Sequence, residues 1–166
     1  KEFYVNDAGN QIAKFGKSLE ARYLQLHLGE DAVEFPEDGY HGDDIKERVQ
    51  QYTDVHGKDL VDVSSEERQE KLVAFALPMN IEKLRTDLEK YRIVYDVWFK
   101  ESVLHESGAV KAAIDLLTEK GMTYEKEGAI WYKATEFGGE KDEVLVRANG
   151  FPTYFAADIA YHYNKF

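Results

Sequence analysis

Cysteine is absent from the 166 residues. That excludes a disulfide framework and any zinc site built on thiolates, and it fits a reducing cytoplasm. Long apolar runs are missing too: nowhere does the chain reach the roughly 20 consecutive apolar residues that a membrane-spanning helix needs. No targeting segment is visible. Proline occurs only three times and methionine twice, and basic residues are scarce, with 21 Lys and Arg against 32 Asp and Glu for a net charge of −11. Nucleic-acid affinity rests on Lys and Arg neutralising phosphates, so this balance argues against a freely acting RNA-binding module and predicts weak or no nucleic-acid binding by so acidic a chain on its own. Lys14 and Lys17 near one side of a helix, with Arg22 beyond them, read as a solvated face.

What is present is a globular composition, 43% hydrophobic and 32% charged, long enough for roughly one domain with a real core. No internal repeat or low-complexity stretch is evident. Phe3 to Val5 reads as the end of a buried strand, followed by a tight connection at Asn6-Asp7-Ala8-Gly9. Ile12, Phe15, Leu19, Tyr23 and Leu26 recur at helical spacing as far as Gly29. Residues 30–39 suggest an exposed acidic loop, and a second helix is expected over 43–56 with Ile45, Val49 and Tyr52 inward and Gly57 closing it. Ser64-Ser65-Glu66-Glu67 has the capping-box pattern and opens a long helical run whose core side would carry Leu72, Phe75, Met79, Leu84, Leu88 and Tyr91. Pro78 falls inside it, so a kink or a break is expected there.

Further on, the aromatic and β-branched content of 93–99 predicts a strand, and a helix is expected over 109–120. Residues 123–126 and 129–132 flank Glu127-Gly128 as a hairpin. Residues 142–147 form a strand, a turn at Asn149-Gly150 follows, and a helix is entered at Pro152 as its first residue. Strands alternating with helices argue for an α/β fold. Trp98 and Trp131 read as core or surface-anchoring aromatics. Gly9 to Ser18 ends like a phosphate-binding loop, but six residues rather than four separate Gly9 from Gly16, and the stretch is an amphipathic helix that cannot cradle phosphate.

Tyr154 and Asp158 stand four residues apart on one face of that last helix. A hydroxyl and a carboxylate fixed where a strand hands over to a helix suit a planar cation such as guanidinium, whose forked donors match a carboxylate. The surrounding wording, Gly-x-Pro-Thr-Tyr-Phe-x-x-Asp-Ile-Ala-Tyr-His from Gly150 to His162, closely resembles the catalytic domain of bacterial-type arginyl-tRNA synthetases, class I enzymes that join arginine to its tRNA. Tyr4-Val5-Asn6-Asp7-Ala8-Gly9-Asn10-Gln11-Ile12 looks like the loop after an early strand of that family's nucleotide fold. Tyr95-Asp96-Val97-Trp98-Phe99-Lys100-Glu101-Ser102 is similar to its aromatic strand ending in Glu-Ser. The three motifs occur in the family's order, and the resemblance spans essentially the whole chain.

That resemblance implies a partial Rossmann-like catalytic domain formed by residues 1–28 and 142–166, with 29–141 as an inserted, mostly helical connective region carrying a small β-hairpin. It implies arginine, ATP and tRNA as partners of the parent enzyme, with Mg²⁺ travelling with the ATP phosphates, and it implies no protein nucleophile and no metal held by side chains. Asp158 would take the guanidinium, and Tyr154 would bond substrate or the terminal adenosine. Asn6, Asp7, Gly9, Gln11, Glu101 and His162 would form the active-site loop or contact the tRNA 3′ end. Other roles stand beside these: Asp7 or Asn10 as a helix cap, Ser102 capping a turn with Glu101 solvated, and His162 as a partly buried, hydrogen-bonded histidine.

The His-x-Gly-His and Lys-Met-Ser-Lys type motifs that hold ATP in class I synthetases are absent. None of the five histidines has a partner three residues away, and neither methionine has the second motif's neighbours. The expectation is an inactive piece from the middle of a longer cytoplasmic enzyme. The alternative is a non-catalytic acidic interaction module derived from one.

Overall fold

A computed structural model describes every residue from Lys1 to Phe166, and the chain divides into two compact units. The first holds residues 1–2 and 7–97 and is built from three helices, α1 (Gly9–Leu28), α2 (Asp43–His56) and α3 (Ser65–Lys90). Their apolar stripes, joined by Leu60 from the turn between α2 and α3, meet in a core of Phe15, Leu19, Tyr23, Ile45, Val49, Tyr52, Leu72 and Ala76. The Tyr23 hydroxyl is sealed inside this core, and there it donates to the Gly57 carbonyl and accepts from the Leu60 amide, both at 3.1 Å. A large aromatic ring can therefore be buried without stranding its polar end.

The helix signals of the sequence act as expected at several ends. Ser64 caps α3 by accepting from the Glu67 amide. At the other end of α3, Arg92 takes the left-handed conformation at φ 60°. The amides of Arg92 and Ile93 then return to the carbonyls of Glu89 and Leu88 at 2.8 and 3.0 Å. This Schellman closure consumes the Ile93 amide, which explains why the strand expected over 93–99 begins only at Val97. Pro78 does not break α3, which runs through it as one element. The long core side expected of α3 is also too long: Leu72 and Ala76 are buried, but Leu84 and Tyr91 are 40% and 80% exposed, because α3 outruns the two helices it packs on.

The second unit holds residues 3–6 and 98–166. Strand β1 (Glu2–Val5) pairs with β2 (Val97–Lys100), and Phe3 stacks on Trp98 at 4.6 Å between centroids. A short helix α4 (Glu101–Glu106), absent from the sequence reading, leads into α5 (Ala109–Glu119). A three-stranded sheet follows, ordered β3 (Thr123–Lys126), β4 (Ala129–Tyr132), β5 (Glu143–Val146), with β4 antiparallel to both neighbours. Its hairpin turns at Glu127 and Gly128, with φ 54° and 75°, the left-handed pair that matches strand twist. Helix α6 (Tyr154–Asn164) lies last. It starts two residues later than expected, since Pro152 forms a bridge with Val146 and Thr153 takes the capping position. Leu104, Val110, Ala113, Ile114, Leu145, Ala156 and Ala160 make the core of this unit. The fold is mixed α/β, as expected.

Candidate functional site

Strand β5 delivers the chain to the site through a tight loop. The Gly150 amide donates to the Arg147 carbonyl at 2.8 Å and the Arg147 amide to the Phe151 carbonyl at 2.9 Å. Gly150 sits at φ 82°, where a side chain would be strained. Thr153 then does two things at once. Its amide and hydroxyl donate to the carbonyls of Leu145 and Val144 at 2.9 and 2.6 Å, and its oxygen accepts from the Ala156 amide at the head of α6. The first turn of the helix is therefore hung directly on the strand.

Helix α6 buries its alanines, Ala156, Ala157 and Ala160, and turns Tyr154, Asp158 and His162 outward on one face. Tyr154 is 51% exposed. Asp158 and His162 line an open hollow together with Phe155, Ile159, Tyr163 and Phe166; Tyr154, one turn earlier, stands outside it. The His162 Nδ1 lies 2.8 Å from the Asp158 main-chain carbonyl. A carbonyl can only accept, so Nδ1 is the donor in this contact, and Nε2 is the ring nitrogen left for another partner. The Asp158 side chain is exposed.

Beside this face, reached through Tyr161 of the same helix, lies a cluster that the sequence reading quoted but did not assemble. The Tyr4 ring meets Tyr161 edge-on at 4.6 Å and stacks on Phe99 at 6.1 Å. Its phenol is held well above the ordinary tyrosine range, by burial first and then by the Glu101 carboxylate, which it bonds, with Asp158 and Tyr161 adding smaller pushes. Glu101 is only 4% exposed, and its carboxylate also faces the His105 Nε2 at 3.5 Å. The solvated Glu101 considered from sequence is thus replaced by a buried one that heads α4 and faces inward. Had residues 101–106 been read as helical, the four-residue spacing of Glu101 and His105 would have flagged the pair. Tyr4 gave no such signal, because a tyrosine in a short strand looks like any β-favouring residue.

The remaining candidates are placed as follows. Asn6 follows β1 in the second unit, exposed. Asp7, Gly9 and Gln11 belong to the first unit. Helix α1 begins at Gly9 with Ala8 at the cap, so neither Asp7 nor Asn10 occupies the capping position considered for them. Gly9 needs its φ of 70°, and Gln11 bonds Tyr40. No group of three or more His, Cys, Asp or Glu residues is arranged to hold a metal ion. No helix is long and apolar enough to cross a membrane.

No family profile matches the chain. Its homologues are nevertheless arginine–tRNA ligases. The chain is 62% identical to the arginine–tRNA ligase of Acetivibrio thermocellus and 61% identical to that of Caldanaerobacter subterraneus subsp. tengcongensis, in each case over 100% of this chain and 29% of the relative. A crystal structure of an arginyl-tRNA synthetase from Campylobacter jejuni superposes with a TM-score of 0.86 at 35% identity, covering 99% of this chain and 35% of that one. The chain thus spans about 29% of the length of the relatives it matches.

Proposed function

We propose, from this likeness along every residue of the chain, that it is an internal part of an arginine–tRNA ligase, the part carrying the receptor for the arginine side chain. The parent enzyme activates arginine with ATP and passes the arginyl group to a ribose hydroxyl at the 3′ end of its tRNA, in the cytoplasm. In this reading residues 1–28 and 142–166 belong to a Rossmann-like catalytic domain and 29–141 to a connective insertion. The carrying observation is the outward face of α6, where Asp158 is exposed in an apolar hollow and Tyr154 stands one turn before it.

The chemistry follows from the residues. A guanidinium entering the hollow finds a carboxylate for its paired donors, while Phe155, Ile159 and Tyr163 are placed for the methylene stem. Tyr154 offers a hydroxyl to the substrate or to the terminal adenosine. His162 lines the same hollow with its Nδ1 engaged by the Asp158 carbonyl, so Nε2 is the atom it has for the ligand. Asn6, Asp7, Gly9 and Gln11 belong to the loop that borders the active site or meets the tRNA end, and Glu101, bonded by Tyr4, serves the same end. Adenylate formation and acyl transfer rest on positioning and charge stabilisation, so none of these residues needs to be a nucleophile.

ATP supplies the activating group, with Mg²⁺ on its phosphates. This chain makes no metal centre of its own, and its sequence lacks the His-x-Gly-His and Lys-Met-Ser-Lys motifs. The isolated chain is therefore expected to be inactive.

The test is Asp158→Asn in the full-length protein that carries this chain, assayed for tRNA arginylation against arginine concentration. Loss of a charge-assisted bond should weaken arginine use by about ten- to a hundredfold and erode discrimination against lysine. Unchanged arginine kinetics would remove Asp158 from the receptor.

A further inference from the structure

The loop 29–42 between α1 and α2 is fastened along α1 at successive turns. Gln25 donates its amide to the Val33 carbonyl at 2.9 Å, the Arg22 guanidinium lies over the Phe35 ring at 4.1 Å, and the Lys14 ammonium meets Asp38 at 2.9 Å. Tyr40 ends the series. Its amide donates to the hydroxyl of the fully buried Ser18 at 2.8 Å, and its ring sits edge-on to Phe15. Its own hydroxyl reaches Gln11 Oε1 in the first turn of α1. Gly39 allows this close approach: a Cβ there would stand 2.8 Å from the Ser18 hydroxyl and 2.9 Å from the Pro36 carbonyl.

The consequence lies in the polarity of Gln11. A carboxamide offers an acceptor at one end and two donors at the other, and a free glutamine can present either. The phenol of Tyr40, held by Ser18 and Phe15, claims the oxygen and leaves the NH₂ end as the available one. In a chain of net charge −11, neutral donors provide a way to receive an anionic or oxygen-rich ligand without a cluster of lysines.

We propose that Tyr40 is a positioning residue that orients Gln11 to donate its NH₂ to an oxygen acceptor on the sugar–phosphate end of the tRNA; this rests on the reading of the Asn6 to Gln11 loop given above. Tyr40 touches no substrate. It acts through Gln11 by fixing which end of the carboxamide faces the ligand.

The experiment uses the full-length protein carrying this chain, with arginylation measured against tRNA and against arginine for Tyr40→Phe, Gln11→Ala, Gln11→Glu and the Tyr40→Phe/Gln11→Ala double variant. Tyr40→Phe keeps the ring and removes only the hydroxyl. It should raise KM for tRNA about three- to tenfold, leave KM for arginine and kcat near wild type, and leave the circular dichroism melt unchanged. Gln11→Ala should raise KM for tRNA at least as far, and the double variant should be no worse than Gln11→Ala. Gln11→Glu keeps an acceptor for Tyr40 but loses the donors, and it should impair tRNA use more than Gln11→Ala.

Wild-type KM in Tyr40→Phe while Gln11→Ala is impaired would overturn the positioning role, as would multiplicative effects in the double variant or a KM rise that tracks a lowered melt. Wild-type behaviour of Gln11→Glu would overturn the donor assignment. Wild-type behaviour of Gln11→Ala would remove Gln11 from the tRNA-contacting loop and the proposal with it. Absence of arginylation in the unmodified protein would instead sink the underlying reading.

Discussion

The guanidinium of Arg68 and the carboxylate of Glu20 meet at 2.6 Å with 8% and 13% of their side chains exposed. The same guanidinium donates to the carbonyls of Leu60, Val61 and Val63 at 2.7, 3.0 and 2.7 Å. One planar cation therefore joins α1, α3 and the turn before α3, and its fork geometry is what lets it serve four acceptors. Arg68→Ala leaves Glu20 without its ion pair, though Ser65 and Gln69 still donate to its other oxygen, and leaves three carbonyls without their donor, so it should destabilise the fold by about 3 kcal/mol. Arg68→Lys, a point charge on a flexible stem, should recover only part of that. Urea denaturation followed by circular dichroism checks both, and a lysine variant as stable as wild type would refute the role of the fork.

Tyr4 and Glu101 form a second buried polar pairing, in the other unit. Because burial first and the Glu101 carboxylate second hold the phenol above the ordinary tyrosine range, Glu101→Gln should bring Tyr4 ionisation part of the way to a lower pH, read by nuclear magnetic resonance of ring-labelled tyrosine. Glu101→Ala removes the acceptor altogether and should cost about 1–3 kcal/mol of stability. A Tyr4 titration that ignores both changes would show that burial alone sets its ionisation.

His27 gives the first unit a definite acid response. Burial first, and the positive charge of Lys58 second, hold its imidazole below the ordinary 6.5, while its Nε2 lies 3.1 Å from the Thr53 hydroxyl. The unfolded chain therefore binds this proton at a higher pH than the folded one does. The stabilising contribution is fully present above pH 6.5 and is lost as pH falls through the lower folded value. Thermal melts between pH 7.5 and pH 5 should fall less steeply for His27→Gln than for wild type, in the interval just below about 6.5 set by the unperturbed imidazole. Parallel curves would assign the acid sensitivity to other groups.

How far the sequence could be read depended on how local the controlling physics was. Helix α2 at Asp43–His56, the Ser64 cap and the Glu127-Gly128 hairpin are each set by a few neighbouring residues, and all stand where the pattern put them. The strand expected over 93–99 starts late, at Val97, after Arg92 adopts a conformation usually left to glycine, which no propensity for arginine announces. Leu84 and Tyr91 keep the helical spacing of core residues but lie beyond the helices that would cover them; periodicity gives the face of a helix, not the reach of its neighbours. On α6, the spacing of Tyr154 and Asp158 put both on one exposed face as expected. The pairing of Glu101 with Tyr4 depends on residues 97 positions apart in a fold that local patterns do not encode.

Helix α6 meets the core of its unit largely through methyl groups, those of Ala156, Ala157 and Ala160. Such a surface lets another backbone come near but has few protrusions of its own, so the roll of the helix about its axis is held by the rings flanking that stripe, Tyr161 against Tyr4 and Phe155 against Tyr132, and by the joint at its start. Thr153, gripping Val144 and Leu145 on one side and the opening turn on the other, makes that joint. A lone threonine thereby sets the compass bearing of Asp158 further along the helix, and an error of a few degrees at that joint would swing the carboxylate with it.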